Sequence, residues 1–311
     1  MKAEEKIFIA GRSGLVGSSI EKAFIKEGYK NIVGLRAKEL DLRNQAAVEA
    51  YFREEKPDYV VLAAAKVGGI MANINAPAEF LYDNLCIQNN IIHFSYVSNV
   101  KKLIFMASSC IYPRLSPQPM KEEYLLDGKL EPTNEGYAIA KIAGLKMCEM
   151  YNRQYCTDFI SVMPCNIYGI GDNFDPQRSH VVAGLIRKFH EAKMANEDCV
   201  IVWGTGNARR ELLFSEDLAD ASLFLFERYS GNDFFNIGTG CDVSIMELAE
   251  IIRDIVGFRG DIKYDVTKPD GMPQKLLDVT KLETAGWRYK TSLADGIEKT
   301  YRWFISQSMY L

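Results

Sequence analysis

The sequence has few of the features that mark membrane, secreted or nucleic-acid-binding proteins. No apolar run approaches the roughly 20 residues that a membrane-spanning helix needs. The opening MKAEEKIFIAG carries two acidic residues and leads into a strand pattern, so we do not interpret it as a signal peptide. The net charge is −4, and Lys and Arg do not cluster, which argues against nucleic acid as the main partner.

Cysteine is present in an odd number, seven, and no two cysteines form a C-x-x-C pair. Disulfide bonds and a structural zinc site are therefore not expected, and nothing else in the sequence indicates a metal site. These features are typical of a protein of the reducing cytoplasm, which is where we expect this one.

The sequence does contain a regular alternation of apolar strand patterns and helical patterns in its first half. The strand patterns lie at 6–10, 31–35, 59–65, 102–108 and 159–165. Buried apolar strands separated by helices predict an α/β fold with a Rossmann-type, doubly wound parallel sheet. The alternation fades after residue 165. We therefore expect a dinucleotide-binding domain over 1–165, to which about 207–240 returns, and a smaller mixed α/β C-terminal lobe over 166–206 and 241–311 that binds the substrate.

A glycine-rich loop follows the first strand pattern. GRSGLVG, residues 11–17, places Gly11, Gly14 and Gly17 between that strand and the first helix. Such a loop lets the backbone approach a pyrophosphate whose charge then lies at a helix N-terminus. A glycine triplet alone is weak evidence, but its place in the first βαβ unit predicts dinucleotide binding.

The end of the second strand indicates which dinucleotide binds. An acidic residue there would contact the ribose 2′-hydroxyl of NAD. The sequence instead has Arg36 and Lys38, with Arg12 in the glycine loop, so it favours the 2′-phosphate of NADP. The alternative is that these cations are solvated surface charges. Asp41 is acidic but lies several residues further on.

A serine, a tyrosine and a lysine form a candidate catalytic set. YAIAK places Tyr137 and Lys141 four residues apart on one helical face, and Ser108 ends the fourth strand pattern. A lysine beside a tyrosine is expected to lower the pKa of the phenol, which makes it a usable acid or base. Reduction of a ketone by hydride needs such a proton donor at the oxygen. Tyr-x-x-x-Lys alone is unspecific, but the combination with Ser108 and the glycine loop is specific.

These motifs, together with LAAAKVGGI, SSCIYP, EPTNEGYAIAKIAG, SHV, VWGTG and KLLDVT, extend over nearly the whole chain. The sequence resembles the extended short-chain dehydrogenase/reductase family and, within it, the GDP-L-fucose synthases. The resemblance implies epimerisation at C3 and C5 of a GDP-4-keto-6-deoxy-sugar, followed by reduction at C4 with NADPH. It also implies that Cys110 and His180 are the acid/base pair that acts on carbon.

Each of these two residues has a simpler interpretation. A free cysteine such as Cys110 is usually a small buried hydrophobic residue. The chain has three histidines, of which His93 and His190 fall in helical patterns where packed or surface positions are usual. His180 lies in the irregular segment DPQRSHVV, which suits a functional histidine.

The resemblance implies further contacts in the site. Expected cofactor contacts are Gly11, Arg12, Ser13, Gly14, Leu15, Val16, Gly17, Arg36, Lys38, Ala63, Ala64, Ala65, Tyr137, Lys141, Pro164, Asn166, Ile167 and His180. Expected substrate contacts are Ser109, Cys110, Asn166, Lys188, Trp203, Arg210, Asp270 and Lys275. Trp203 could instead belong to the core, and Arg210 could be one of a solvated pair with Arg209.

Several positions depart from the usual pattern of the family. Gly136, Cys165 and Ile170 are the departures expected to lie near the reacting sugar. They leave open a second function, in which the enzyme only reduces C4 of a GDP-4-keto-heptose that was epimerised elsewhere. A third possibility, a non-catalytic NADP-binding sensor, fits poorly because the Ser–Tyr–Lys set is complete. The resemblance also implies a homodimer, with the segment 75–98 and the Tyr137 helix as candidate interface helices.

Overall fold

The computed structural model describes residues 2–176 and 178–307. The strands, in chain order, are β1 (Ile7–Ala10), β2 (Ile32–Val33), β3 (Tyr59–Leu62), β4 (Lys102–Met106), β5 (Phe159–Pro164), β6 (Asn166–Tyr168), β7 (Cys199–Trp203), β8 (Arg209–Phe214), β9 (Phe235–Ile237), β10 (Asp242–Ser244), β11 (Asp261–Asp265) and β12 (Gln274–Lys275). The α-helices are α1 (Leu15–Lys26), α2 (Gln45–Glu55), α3 (Ile70–Asn75), α4 (Pro77–Val97), α5 (Glu135–Tyr155), α6 (Val181–Met194), α7 (Ser215–Arg228), α8 (Ile245–Val256), α9 (Thr280–Thr284) and α10 (Leu293–Ser306).

The predicted parallel sheet is confirmed. Its six strands have the order β2-β1-β3-β4-β5-β9, and every neighbouring pair is parallel. All four residues of β1 are buried, as expected for an apolar strand that is covered on both faces. The strand order reverses between β1 and β3. This is the switch point at which open α/β sheets bind ligands.

The long helical pattern before residue 97 is interrupted. Helix α3 ends at Asn75, and α4 begins at Pro77, which occupies the first turn of the new helix. Proline is tolerated there because the first N–H of a helix has no partner within it. Helix α4 then packs against α5, and α1 packs against α7. None of the helices in the described ranges is long and apolar enough to cross a membrane.

A second, smaller sheet forms around β8. Strand β10 is antiparallel to β8, while β12 and β6 are parallel to it. Strands β7 and β11 form a separate parallel pair. Helices α6, α8 and α10 supply Phe189, Ile252 and Phe304 to a second core cluster.

The chain passes between the two regions more than once after residue 165. Strand β9 lies at the edge of the six-stranded sheet. Leu277, Leu282 and Trp287 then pack into the first core cluster. Because β12 immediately precedes Leu277, this return brings residues of the second sheet close to the ends of β4 and β5.

Candidate active site

The glycine loop is shaped by two close contacts and one open position. Gly11 has a φ of +88°, and a Cβ atom there would lie 2.7 Å from the backbone nitrogen of Ala64. A Cβ atom at Gly17 would lie 2.2 Å from the carbonyl oxygen of Gly11. A Cβ atom at Gly14 would meet only that same oxygen, at 3.5 Å. Gly11 and Gly17 therefore pack the loop, whereas Gly14 leaves open space at the start of α1.

That open space fits the pyrophosphate of a dinucleotide. Gly14 is the N-cap of α1, and no side chain caps the helix. Ser13 and Gly14 are exposed, and Leu15 and Val16 are partly buried behind them. The amide groups at the start of α1 are thus available to an anion, which the helix dipole also favours.

The cations near β2 differ in whether they form ion pairs. Arg12 pairs with Glu21 of α1, and this pair raises the pKa of the guanidinium group. Arg36 and Lys38 are exposed, and no carboxylate among the described residues forms an ion pair with either. Asp41 is bound by Arg43, with its Oδ2 2.9 Å from Nη2. The acidic residue that could have favoured NAD is therefore occupied by a neighbouring arginine.

Tyr137, Lys141 and Ser108 lie together. Tyr137 and Lys141 are in the first two turns of α5, and the Lys141 Nζ lies 5.7 Å from the centre of the Tyr137 ring. Ser108 precedes a short 3₁₀ helix at 109–111, where its Oγ accepts from the backbone N–H of Cys110 at 3.3 Å. Burial raises the pKa of Tyr137, and the nearby Ser108 hydroxyl, which favours the phenolate, opposes that rise.

The expected lowering of the Tyr137 pKa is nevertheless wrong for this structure. Burial raises the pKa of the phenol, and the nearby Cys110 raises it further. Lys141 is itself only 2% exposed, and burial lowers its pKa to about 7. Its Nζ donates to the carbonyl oxygen of Met106 at 2.8 Å. The lysine is therefore only partly protonated near neutral pH, and it stabilises the phenolate less than the spacing alone suggested.

Cys110 is in contact with a lysine of the second sheet. The Lys275 Nζ donates toward Sγ at 3.2 Å. Burial alone would raise the pKa of the thiol, but the charge of Lys275, hydrogen bonds from Ser108 and Lys275, and the charge of Arg210 outweigh it, and the net effect lowers the pKa. Cys110 is thus partly buried but polar in its surroundings, unlike an ordinary core cysteine.

His180 lies close enough to Lys275, and Arg210 close enough to Cys110, for their charges to interact. His180 is the N-cap of α6 and stays accessible to solvent, although protein atoms surround much of the imidazole. That burial, with the charge of Lys275, lowers its pKa. Arg210 is 9% exposed and donates to the carbonyl oxygens of Arg209 at 2.7 Å and Asp270 at 3.0 Å. Arg210 is therefore a fixed cation and not a solvated one.

The remaining substrate residues form a second group. Trp203 is 52% exposed, so it is not a core residue. The amino groups of Lys188 and Lys268 lie 5.0 Å and 5.5 Å from its ring centre. Asp270 is turned toward Thr205, whose N–H and hydroxyl both donate to its carboxylate at 2.8 Å. Asp270 therefore binds Arg210 through its backbone carbonyl oxygen and Thr205, in the loop after Trp203, through its carboxylate.

Other predicted residues lie at strand ends. Ala63, Ala64 and Ala65 follow β3, and Ala64 touches the glycine loop at Gly11. Pro164 ends β5 beside Ile237 of β9, and Asn166 and Ile167 begin β6 next to it. Ser109 is 3% exposed. The alanines, Pro164, Asn166 and Ile167 therefore surround the carboxyl ends of β1, β3 and β5. Ser109 is instead packed inside the protein.

The three departures from the family pattern have protein neighbours, and their expected position near the reacting sugar stays a prediction. A Cβ atom at Gly136 would lie 2.8 Å from the carbonyl oxygen of Pro77, so this glycine allows α5 to approach α4. Cys165 is 7% exposed, and burial and the nearby Glu211 raise the pKa of its thiol. Ile170 packs against the second core cluster. Gly136 therefore lies at a helix contact, Cys165 is buried, and Ile170 lies at the edge of the second core cluster.

Two site residues were not anticipated. Phe80 of α4 meets the Tyr137 ring edge-on, with ring centres 6.5 Å apart and planes at 78°. Glu131 is 7% exposed and forms an ion pair with Arg114 at 3.2 Å. Burial lowers the pKa of Arg210, and the charge of Glu131 is among those that oppose this shift. The motif EPTNE contains Glu131, but its spacing alone does not indicate a partner. Nothing in the sequence pointed to Phe80.

Comparison with known proteins defines the class of this protein. The model of the NAD dependent epimerase/dehydratase family matches residues 7–238. The chain therefore belongs to this family. Within it, GDP-L-fucose synthase 1 of Arabidopsis thaliana is 54% identical over 300 residues, which covers 96% of this chain and 93% of that protein. GDP-L-fucose synthase of Escherichia coli (strain K12) is 49% identical over 312 residues, 97% of each chain. The chain thus belongs to the family that contains the GDP-L-fucose synthases.

Solved structures agree with this placement. A GDP-L-fucose synthetase from Naegleria fowleri bound to NADP has a TM-score of 0.92 and 31% identity, covering 98% of this chain and 94% of that one. A GDP-6-OMe-4-keto-L-xylo-heptose reductase from C. jejuni has a TM-score of 0.95 and 39% identity, covering 99% of each chain.

Proposed function

We propose that this protein is an NADPH-dependent enzyme of the GDP-L-fucose synthase type. It epimerises C3 and C5 of a GDP-4-keto-6-deoxy-sugar and then reduces C4. The observation that carries the proposal is the convergence of two proton-handling sets. Ser108 lies beside Tyr137 and accepts from the backbone N–H of Cys110, and Lys275 contacts Cys110 and acts on His180 by its charge.

The nucleotide is held by the glycine loop and the cations near β2. NADPH, when bound, supplies the hydride that reduces C4. The open position at Gly14 accepts the pyrophosphate, and Arg36 and Lys38 are free to contact a 2′-phosphate. Arg12 lies beside β2, because its side chain would be 3.1 Å from a Cβ atom at Gly34. The bound NADP of the Naegleria fowleri relative supports this choice of cofactor.

Tyr137 and Ser108 act at the C4 oxygen in both stages. During epimerisation the oxygen gains negative charge as the neighbouring carbon loses its proton, and hydroxyl donors stabilise that charge. During reduction Tyr137 gives its proton to the same oxygen. Its raised pKa keeps the phenol protonated before the reaction, which is the form that a proton donor needs.

Cys110 and His180 act at carbon. Epimerisation needs one group to remove the proton next to the ketone and another to return a proton to the opposite face. The lowered pKa of the Cys110 thiol favours the thiolate, which is the form that can remove a proton. His180 is accessible to solvent and so exchanges protons with water. Its lowered pKa makes the protonated form a stronger acid, although a less populated one.

The GDP portion of the substrate contacts the group around Trp203. The indole face, flanked by Lys188 and Lys268, offers an apolar surface between two cations. The fixed cation Arg210 pairs with the diphosphate. The GDP-linked substrates named for the relatives support this chemistry.

The test is solvent isotope exchange. The protein is incubated with GDP-4-keto-6-deoxy-mannose in deuterated water without NADPH, and mass spectrometry follows deuterium in the sugar. NADPH is then added to follow C4 reduction. Deuterium at two carbons, lost in Cys110→Ser but kept in the surface control Cys241→Ser, is the expected result. Absence of deuterium, with rapid NADPH oxidation on a pre-epimerised ketosugar, would replace the proposal with a C4 reductase.

The reductase alternative has less support. The relatives at 49–54% identity are named as fucose synthases, whereas the heptose reductase is 39% identical.

We also propose a cytoplasmic homodimer. Helices α4 and α5 pack together and expose Tyr82, Val97, Met150 and Tyr155, which are 67%, 52%, 42% and 41% exposed. A second copy of this helix pair would cover these side chains as a four-helix bundle. Light scattering coupled to size exclusion should give twice the chain mass, and a monomer would contradict the proposal. The expected division into a nucleotide-binding domain (1–165 with about 207–240) and a substrate lobe remains part of this proposal.

A further inference from the structure

A contact between the two sheets places an ammonium group on the candidate carbon base. Lys275 lies in β12, where it is paired in register with Arg210 of β8. Cys110 follows β4 of the six-stranded sheet. The two residues are 165 positions apart, yet Nζ and Sγ are separated by 3.2 Å. The resemblance implied a role in binding the GDP-sugar for Lys275, but the structure gives its amino group a protein partner.

The backbone beside Lys275 is tied to the segment that carries Cys110. The N–H of Leu276 donates to the side chain of Gln118 at 2.9 Å. Its carbonyl oxygen accepts from the N–H of Met120 at 2.8 Å. Gln118 and Met120 lie eight and ten residues after Cys110, so the segment that follows the thiol also binds the strand that bears the lysine. The position of Nζ relative to Sγ is therefore constrained by the fold.

We propose that Lys275 is a positioning residue that holds the Cys110 sulfur as a thiolate, so that Cys110 begins epimerisation as the base. The inference rests on the proposed epimerase function. The thiolate takes the proton next to the ketone and becomes a thiol, and the electron pair of the broken C–H bond forms the enolate. Protonated His180 then gives its proton to the opposite face of that carbon and becomes neutral.

The other groups around the sulfur are consistent with this role. The hydroxyl of Ser108 and the charge of Arg210 also favour the thiolate. Tyr137 is near enough that ionised Cys110 raises its pKa, which keeps the phenol protonated. The charge of Lys275 also lowers the pKa of His180. One lysine thus raises the fraction of Cys110 that is thiolate and makes protonated His180 a stronger but less populated acid.

The test measures the pH dependence of Cys110 alkylation by iodoacetamide in the substrate-free protein, resolved by peptide mass spectrometry because the chain has seven cysteines. Only the thiolate reacts at an appreciable rate. In Lys275→Met the midpoint is expected to rise by about one to two pH units. Lys275→Arg, which keeps the charge, should stay near the unmodified protein, as should the control Lys263→Met on the exposed side of β11. An unchanged midpoint in folded Lys275→Met overturns the proposal, and Lys275→Gln replaces the methionine variant if the latter does not fold.

Catalysis supplies a second readout. In Lys275→Met, kcat for deuterium exchange into the sugar should fall about tenfold or more, as for the loss of an acid–base group, and this fall should exceed any fall in kcat for reduction of a pre-epimerised ketosugar. A rise in KM for both reactions with an unshifted alkylation midpoint would assign Lys275 to the diphosphate instead and overturn the proposal. If the unmodified protein exchanges no deuterium, the proposed function fails, and the alkylation midpoints still decide whether Lys275 controls the thiol.

Discussion

At the scale of single residues, the site is governed by what burial does to proton affinity. Tyr137 and Lys141 are neighbours, but Lys141 is buried and Tyr137 is partly buried, and burial shifts each toward its neutral form. The phenol stays protonated and the amine loses much of its charge near pH 7. This arrangement suits a tyrosine that acts as a proton donor. It does not suit a tyrosine that must start as phenolate.

Tyr137→Phe tests the donor role. The variant keeps the ring contact with Phe80 but removes the hydroxyl, so folding should be unchanged. Turnover in C4 reduction should fall by about 10²–10⁴-fold, the usual contribution of a general acid. Steady-state NADPH oxidation with a pre-epimerised GDP-4-ketosugar provides the measurement. Tyr289→Phe, at a tyrosine that is 38% exposed, is the control. A Tyr137→Phe enzyme within about threefold of the unmodified rate would assign the proton to another group.

At the scale of structural elements, the glycine loop uses different glycines for folding and for binding the dinucleotide. Gly17 is needed for folding, and Gly14 is needed for binding. Gly17→Ala would put a methyl group 2.2 Å from the carbonyl oxygen of Gly11, so α1 must move away from the loop. We expect a melting temperature lower by several degrees, because backbone atoms cannot yield as a flexible side chain can. Gly14→Ala meets nothing closer than 3.5 Å and should fold normally.

Gly14→Ala should nevertheless bind NADPH at least about tenfold more weakly, because its methyl group takes the space of the pyrophosphate. Thermal denaturation and NADPH fluorescence titration distinguish the two variants. Normal NADPH affinity in Gly14→Ala would show that the pyrophosphate does not approach this position.

The same elements show what could be predicted from the sequence. Apolar strands such as IFIA and the glycine spacing after it are local signals, and they predicted the parallel sheet and the loop. The break between α3 and α4 was missed because the helical pattern continues across Pro77. The pairing of Lys275 with Cys110 had no local signal, since it depends on how β12 packs beside β8. The raised pKa of Tyr137 depends on burial, which the Tyr-x-x-x-Lys spacing does not report.

At the scale of the whole molecule, one buried carboxylate connects the two sheets. Glu211 of β8 is 1% exposed. Its Oε1 accepts from the N–H groups of Thr239 and Gly240, each at 2.7 Å, just beyond β9. Its Oε2 accepts from the N–H of Leu277 at 2.9 Å, just beyond β12. The strand that bears Lys275 and the last strand of the six-stranded sheet are therefore held by the same side chain.

Glu211→Gln tests this connection through its pH dependence. Burial raises the pKa of Glu211 to about 7, although three backbone N–H groups oppose the shift. Between its ordinary value of 4.5 and about 7, the folded protein keeps a proton that the unfolded chain releases, so this group's contribution to stability is lost as the pH rises through that window. Glutamine does not titrate, and its amide nitrogen cannot accept from Leu277, which should cost about 1–3 kcal/mol.

The melting temperature of the variant should therefore be lower than that of the unmodified protein at pH 5, and the difference should shrink toward pH 8. Glu216→Gln, at an exposed position of α7, is the matched control and should show no such trend. A difference that stays constant across this range would mean that Glu211 is already ionised in the folded protein at pH 5. In that case the three N–H donors, and not burial, would control its charge, and the link between the two sheets would be a carboxylate bound as an anion throughout.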